Sequence, residues 1–324
     1  MFKTRVTEIL GIKHPILLAP MQWLSRAELV AAASNAGGLG IIASLTFPTI
    51  EEFRQEIRKT KGMTDKPFAV NITLMPTARP VNHEDYFSAA IEEGVNIIET
   101  SGRSPEPYMK LLKDAKVKVL HRATRVRDIK TAERVGVDIV TIDGFPAAGH
   151  PGMDDVATIV LIPIAVDAVK IPVIAAGGIG DARGFVAALA LGAEGVLMGT
   201  RFMASKECPA HPKFKEWLLQ LKETDTMMIQ RSIKSAARVA RTDHTQRILE
   251  MEEQGATLDD LLPLLSGKRQ EAAYASGDIS NAAMTVGQVI GLVNEIPSVS
   301  EIIESMVSDA ELTIQRLRNL EIHP

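Results

Sequence analysis

Residues 171–181 read IPVIAAGGIGD, and residues 196–201 read VLMGTR. In each stretch an apolar run of strand length breaks into glycine where a helix is expected to begin, and 22 residues separate Gly177 from Gly199. Two successive turns of this kind form a phosphate cradle, because glycine exposes the backbone and helix N-termini carry free N–H donors. In an eight-stranded α/β barrel, the loops after strands seven and eight are the usual phosphate site.

Apolar runs of strand length, rich in valine and isoleucine, recur along the chain up to these glycines. They are Pro15–Ala19, Gly38–Ala43, Pro67–Asn71, Val95–Glu99, Val117–His121, Asp138–Ile142, Val173–Ala176 and Gly195–Met198. Between them lie segments with the apolar repeat of a helix: Arg26–Ala36, Ile50–Lys59, Asp85–Glu93, Pro105–Ala115, Asp128–Val135, Ala157–Val169 and Asp181–Leu191. Strands that alternate with helices imply parallel βαβ units, and eight such units imply closure. The sequence therefore predicts an α/β fold of the TIM (β/α)8 barrel type.

The pattern changes after about residue 205, where only helical patterns are expected. These are Met227–Ala240, His244–Gln254, Leu258–Leu264, Ala282–Val293 and Val299–Leu320. We predict a barrel over residues 1–215, a helical subdomain on the substrate side over 216–300, and a C-terminal helix over 301–324 that returns to the barrel. A barrel of ordinary size leaves room for this addition.

The composition of the chain argues against several classes of function. The 324 residues are 46% hydrophobic, with a net charge of −4, which indicates a large core and no general attraction to nucleic acid or anionic membranes. No apolar run reaches the length of a membrane span. The single cysteine, Cys208, excludes an internal disulfide and a CxxC metal site. We expect a cytoplasmic protein, and the sequence leaves open whether it forms an oligomer.

Polar side chains stand where several of the apolar strands end, which is where barrel enzymes carry their active sites. Asn71 offers a donor and an acceptor to a planar heterocycle, or it caps the next segment. Gln22 follows Pro20-Met21, where the proline turns the backbone across the barrel mouth; it is otherwise a solvated loop residue. Arg122 offers a fixed positive charge to a phosphate or to the anionic edge of a reduced flavin, or it is a surface ion-pair residue. Other residues at these ends are Ser44, Glu99, His121, Asp143 and Thr200.

The loop after strand six, DGFPAAGHPG at residues 143–152, presents one imidazole, that of His150. Small residues let this backbone approach a ligand closely, and histidine exchanges a proton near neutral pH. Only His121 and His150 among the histidines follow a strand in this way; a structural role for His150 stays open. Asp154 and Asp155 are expected to cap the next helix instead of binding a metal, because no HExxH or second spaced histidine occurs.

The sequence also lacks a GxGxxG dinucleotide fingerprint and a nucleophile elbow. The remaining chemistry is a phosphate-anchored cofactor at the barrel mouth, and flavin mononucleotide (FMN) fits that geometry.

These residues together resemble the nitronate monooxygenase family, long called 2-nitropropane dioxygenases. The likeness is carried by Pro20-Met21-Gln22, Asn35–Gly40, Asn71, Ala148–Gly152, Ala176–Ile179, Met198–Phe202, Tyr274–Asp278 and Gly287-Gln288. It implies a TIM barrel with a helical substrate domain and non-covalent FMN. By position, contacts to the isoalloxazine and ribityl parts would come from Met21, Gln22, Asn71, Arg122, Ala148 and Gly149. The phosphate would be held by Gly177, Gly178, Gly199 and Thr200, with Pro20, Asp143 and Met198 also at the cofactor site, and His150 would face the flavin and the substrate.

Two departures from the family pattern bear on the substrate. The loop reads Pro146–His150 where many nitronate monooxygenases have Gly-Gly-His, and Asp143 stands where they often have glutamine. The continuation Gly149–Asp155 is closer to a branch described as NADH:quinone reductases, in which a proline loop after strand three gates the flavin. Pro76 occupies the equivalent place. Flavin-dependent enoyl-acyl-carrier-protein reductases are a more distant relative.

The resemblance implies an FMN-dependent oxidoreductase that oxidises alkyl nitronates with O2 to a carbonyl compound and nitrite, with His150 as the catalytic residue. An NAD(P)H:quinone oxidoreductase that uses the same site, with NAD(P)H as co-substrate, is a nearly equal alternative. An enoyl-acyl-carrier-protein reductase and a non-redox barrel that binds a phosphorylated metabolite are further alternatives. No metal is expected.

Overall fold

A computed structural model describes residues 2–75 and 81–320 and contains a parallel eight-stranded barrel. Its strands are β1 (Ile16–Leu18), β2 (Gly40–Ala43), β3 (Phe68–Leu74), β4 (Ile97–Gly102), β5 (Lys118–Ala123), β6 (Ile139–Asp143), β7 (Val173–Ala176) and β8 (Gly195–Met198). They pair in the order β1-β8-β7-β6-β5-β4-β3-β2. A parallel bridge between Leu17 and Leu39 joins β1 to β2 and closes the ring. The predicted TIM barrel is confirmed.

Helices surround the barrel and extend it at the C-terminal end. They are α1 (Arg5–Leu10), α2 (Ala27–Asn35), α3 (Ile50–Met63), α4 (His83–Glu92), α5 (Met109–Asp114), α6 (Val126–Arg134), α7 (Thr158–Ala168), α8 (Ala182–Ala190), α9 (Thr200–Met203), α10 (Pro212–Leu218), α11 (Asp243–Glu253), α12 (Leu258–Leu265), α13 (Gly267–Ser276) and α14 (Val299–Arg318). The last helix, α14, packs against α8 and α2 on the outside of the barrel. The domain limits at residues 215 and 300 stay a prediction. Among the described residues, no helix combines the length and the apolar character needed to span a membrane.

Strand parity decides which side chains enter the barrel. On β4, Ile97 belongs to an apolar cluster inside the barrel, whereas Ile98 belongs to the cluster between the barrel and its helices. Because successive strand residues point to opposite faces, Glu99 faces inward. The same alternation from Leu120 turns Arg122 inward and His121 outward toward the helices.

The region after the barrel corrects two predictions. A β-hairpin, β9 (Thr226–Ile229) paired antiparallel with β10 (Ala237–Ala240), stands where we expected the helix Met227–Ala240. Short apolar runs do not separate strand from helix by periodicity, and the left-handed backbone of Gln230 and Lys234, with φ of 64° and 55°, turns the chain between the strands. The predicted helix Ala282–Val293 is reduced to a short 3-10 helix, Gln288–Leu292.

Candidate active site

A buried polar cluster lies at the C-terminal ends of β3 to β6. Asn71 Nδ2 donates to Glu99 Oε2 at 2.6 Å. Arg122 lies between two carboxyl groups: its Nε is 3.7 Å from Glu99 Oε1, and its Nη1 is 3.7 Å from Asp143 Oδ2. The structure thus brings three predicted site residues, Asn71, Arg122 and Asp143, into one network: Glu99 links Asn71 to Arg122, and Arg122 in turn pairs with Asp143.

The ionisable groups of this cluster differ in how deeply they are buried. Glu99 is fully buried, and desolvation raises its pKa, although Arg122 and the Asn71 hydrogen bond oppose the rise. Burial likewise raises the pKa of Asp143, again against the charge of Arg122. The Arg122 side chain is 22% exposed and so retains access to the mouth. The cluster therefore presents one cation, Arg122, beside two buried carboxyl groups whose pKa values are raised by desolvation.

The glycine turns after β7 and β8 form a candidate anion cradle. Gly177 and Gly178 are left-handed, with φ of 87° and 83°, and a Cβ on Gly177 would lie 2.8 Å from the carbonyl oxygen of Gly144. Within the described residues, the backbone N–H groups of Gly178, Gly199 and Thr200 meet no acceptor. Free N–H groups on two neighbouring loops suit a phosphate.

The donors available for a phosphate come from the loops and not from the first turn of α8. The first N–H groups of α8 are occupied, because the Asp181 side chain accepts from Arg183 N and Gly184 N. The free donors come from the glycine loop and from the start of α9. Thr200 Oγ1 accepts from Gly287 N at 3.1 Å, which ties the cradle to the C-terminal region.

The two imidazoles that follow strands have different places. His150 is exposed at the barrel mouth after Gly149, whereas His121 is 1% exposed on the helix-facing side and shares a hydrogen bond of 2.9 Å with Thr100 Oγ1. Part of the His150 side chain reaches the surface, but the surrounding protein still screens the imidazole from water, and this desolvation together with the charge of Arg122 lowers its pKa. Burial lowers the pKa of His121 to about 4. Only His150 of this pair can meet a ligand at the mouth.

The residues that follow β1 also border the candidate site. Ser25 Oγ donates to the Ala19 carbonyl and accepts from Met21 N, which holds the turn at Pro20. Met21 Sδ lies 3.6 Å from where a Cβ on Gly199 would be, so this side chain borders the cradle. Gln22 is exposed beside it.

Three further predicted residues complete the comparison. Ala148 is partly exposed in the His150 loop. The Met198 side chain packs in the cluster between barrel and helices, which leaves only its backbone toward the mouth. Pro76 lies outside the described residues, so its proposed gating role stays a prediction.

The expected caps of α7 were wrong. The N-cap of α7 is Ala157, with no side-chain cap, because Asp154 pairs with Arg125 and Asp155 pairs with Arg231, each at 2.8 Å. Sequence reasoning did not single out Glu99 as a site residue or identify Arg238, whose backbone pairs with Gly149. Strand parity could have identified the first, but no sequence signal marked the second.

Comparison with known proteins places the chain. The family model described as nitronate monooxygenase matches residues 3–309. A probable nitronate monooxygenase from Staphylococcus saprophyticus is 33% identical, over 97% of this chain and 99% of that protein. A (3aS,4S,5R,7aS)-5-hydroxy-7a-methyl-1-oxo-octahydro-1H-indene-4-carboxyl-CoA dehydrogenase from Mycobacterium tuberculosis is 32% identical, over 97% of each chain.

Solved structures share the fold of this chain. FabK from Thermotoga maritima superposes with a TM-score of 0.93 at 38% identity, covering 99% of this chain and 100% of that one. A nitroalkane oxidase from Streptomyces ansochromogenes shares the fold, with a TM-score of 0.82 at 24% identity and coverage of 96% and 99%. The protein is an oxidoreductase that belongs to the nitronate monooxygenase family.

Proposed function

We propose that this enzyme binds FMN at the barrel mouth and oxidises alkyl nitronates with O2 to a carbonyl compound and nitrite. The observation that carries the proposal is His150, an accessible imidazole with a lowered pKa on the loop beside the anion cradle. A lowered pKa keeps this imidazole neutral at neutral pH, and a neutral imidazole offers a hydrogen-bond donor to the oxygens of the bound nitronate anion. Family membership and the curated nitronate monooxygenase relatives support the same activity.

The residues of the mouth suit such a cofactor. The free N–H groups of Gly178, Gly199 and Thr200 would hold its phosphate. Asn71 and Arg122 would meet its polar ring edge, where a fixed cation stabilises negative charge that develops on reduction. Bound FMN would supply the electron transfer, and the protein would supply orientation, charge and a hydrogen-bond donor.

The first test is nitrite release. Purified protein loaded with FMN is given propionate-3-nitronate in air without NADH, and nitrite is measured with the wild type and with His150→Asn. We expect nitrite from the wild type and a loss of roughly 10²–10⁴-fold in the variant. His121→Asn is the matched control, because it removes an imidazole from the outer face of β5, the strand beside β6. Absence of nitrite at saturating nitronate would refute the nitronate assignment.

A second candidate is reduction by a nicotinamide, and the 38% identity to FabK favours it. Under this reading NAD(P)H reduces the flavin, and a quinone or an enoyl thioester on an acyl carrier protein accepts the electrons. Anaerobic addition of NADH, and then of NADPH, separates the candidates. Rapid bleaching of the flavin absorption supports a reductase, whereas a flavin that stays oxidised for minutes excludes it. If the purified protein takes up no FMN, both redox candidates are excluded, and the remaining alternative is a barrel that binds a phosphorylated metabolite without redox chemistry.

A further inference from the structure

The loop between β6 and α7 carries His150 and is held before that residue by Arg238 of the hairpin. The backbones of Gly149 and Arg238 pair in both directions, with N–O distances of 3.1 Å and 2.6 Å. The Arg238 guanidinium reaches back along the loop, where Nε and Nη2 donate to the Phe145 carbonyl oxygen at 3.1 Å and 3.0 Å. Its Cζ lies 4.3 Å from the centroid of the Phe145 ring, within cation–π range. One residue therefore fixes two points of the loop, the second immediately before His150.

The surroundings of Arg238 are unusual for a buried cation. The residue is 2% exposed, and the acceptors of its guanidinium are the Phe145 carbonyl and Thr226 Oγ1, both neutral. Burying a charge on neutral partners is costly, and desolvation accordingly lowers the pKa of Arg238. Only a planar guanidinium can hold one carbonyl with two donors and stack on a ring. This position therefore uses the geometry of arginine more than its charge.

The other side of the loop is held more loosely. After His150, the ion pairs Asp154–Arg125 and Asp155–Arg231 are both partly exposed, and pairs of that kind contribute little. The hairpin itself packs with α11 and α12 in a small apolar cluster separate from the barrel core. The loop that carries His150 is therefore attached to a unit outside the barrel, whereas Asn71, Arg122 and Asp143 lie on the barrel strands.

We propose that Arg238 is a positioning residue for His150, through which the hairpin sets the direction of the imidazole at the barrel mouth. The inference rests on the proposed function only in assuming that His150 takes part in catalysis. Charged groups of the surrounding elements are Arg122 on β5, Asp154 and Asp155 on the loop, Arg125 before α6, and Arg231 and Arg238 on the hairpin.

The test measures the pKa of His150 by NMR in the FMN-loaded protein, together with kcat and KM. Arg238→Lys keeps the positive charge but loses the planar fork, so its effect reports geometry and not charge. We expect the His150 pKa to rise toward its ordinary value as the loop opens to water, and kcat to fall about 100-fold, as for a misplaced catalytic group. KM should change by less than about threefold. Arg231→Gln, which breaks only the exposed pair on the same hairpin, is the control and should leave all three values in place.

A second variant guards against a general loss of folding. Phe145→Leu removes only the stacked ring and should move the His150 pKa in the same direction by less. If Arg238→Lys and Phe145→Leu both fold with an unchanged His150 pKa and unchanged kcat, the inference is overturned. Failure of the proposed function can be told apart from failure of this inference. A wild type that is inactive with nitronate and with NAD(P)H refutes the function, whereas the NMR titration of His150 still tests the role of Arg238.

Discussion

The replacement of Gly177 by alanine tests the anion cradle, and Gly255 provides a matched control. Both residues are left-handed, with φ of 87° and 86°, so alanine at either position costs about 1–2 kcal/mol of backbone strain. They differ in surroundings: a Cβ at residue 177 would lie 2.8 Å from Gly144 O and 3.0 Å from Ala147 Cβ, whereas nothing lies within 4 Å of one at residue 255. Overpacking of this kind adds about 1–3 kcal/mol.

In FMN-free protein the loop of the Gly177→Ala variant is able to shift away from this contact, so the expected loss of unfolding free energy is the backbone strain of about 1–2 kcal/mol for Gly177→Ala and for Gly255→Ala alike. If FMN requires the original loop, the contact cost of about 1–3 kcal/mol in Gly177→Ala opposes FMN binding instead. Since each 1.4 kcal/mol is about a tenfold change, the FMN Kd should rise about 5- to 150-fold in Gly177→Ala and stay unchanged in Gly255→Ala. Urea unfolding of FMN-free protein and quenching of flavin fluorescence measure the two quantities. Wild-type FMN affinity in a folded Gly177→Ala variant would refute the placement of the phosphate.

Three further predictions concern single side chains. His150→Ala should still bind FMN while turnover falls roughly 10²–10⁴-fold; stopped-flow absorbance measures both, and unchanged turnover would remove the imidazole from the mechanism. His121→Asn should instead lower the unfolding free energy by about 1–3 kcal/mol through its lost hydrogen bond to Thr100, with turnover intact; urea unfolding and the nitrite assay check this, and lost turnover in a folded variant would contradict it. Burial raises the pKa of Glu99 above 4.5, so this carboxyl contributes stability at low pH that is lost as pH rises through the raised pKa. The unfolding free energy of Glu99→Gln should consequently increase relative to that of the wild type as the pH rises above 4.5 and through the raised pKa. Urea unfolding curves at several pH values measure this difference, and a difference that shifts in favour of the wild type as the pH rises would contradict the sign.

The strand count came from local sequence alone, because a short apolar run between turn residues needs no distant partner to be identified. The predicted runs Val173–Ala176 and Gly195–Met198 coincide with β7 and β8. The same reasoning failed at Met227–Ala240, because each strand found there has only four residues, and over so short a run an apolar pattern fits a strand and a helix equally well. What separated them was pairing between β9 and β10, which no local pattern contains.

Candidate site residues were proposed from the sequence where a polar residue follows a strand directly. Asn71, Arg122 and Asp143 were singled out in this way, and the structure places them in one network in which Glu99 links Asn71 to Arg122 and Arg122 pairs with Asp143. Glu99 was not singled out, because a carboxylate at the end of a strand resembles an ordinary polar residue until it is known that the side chain faces the barrel interior and is fully buried.

The sequence by itself determined the alternation of strands and helices and the two glycine turns, since these follow from neighbouring residues and their backbone freedom. Only the tertiary structure decided which imidazole opens to the mouth, because the barrel interior is defined by all eight strands together. It alone also brought Arg238 onto the loop before His150. That contact joins positions 89 residues apart, from Gly149 to Arg238, and contacts at such separation depend on how the whole chain packs.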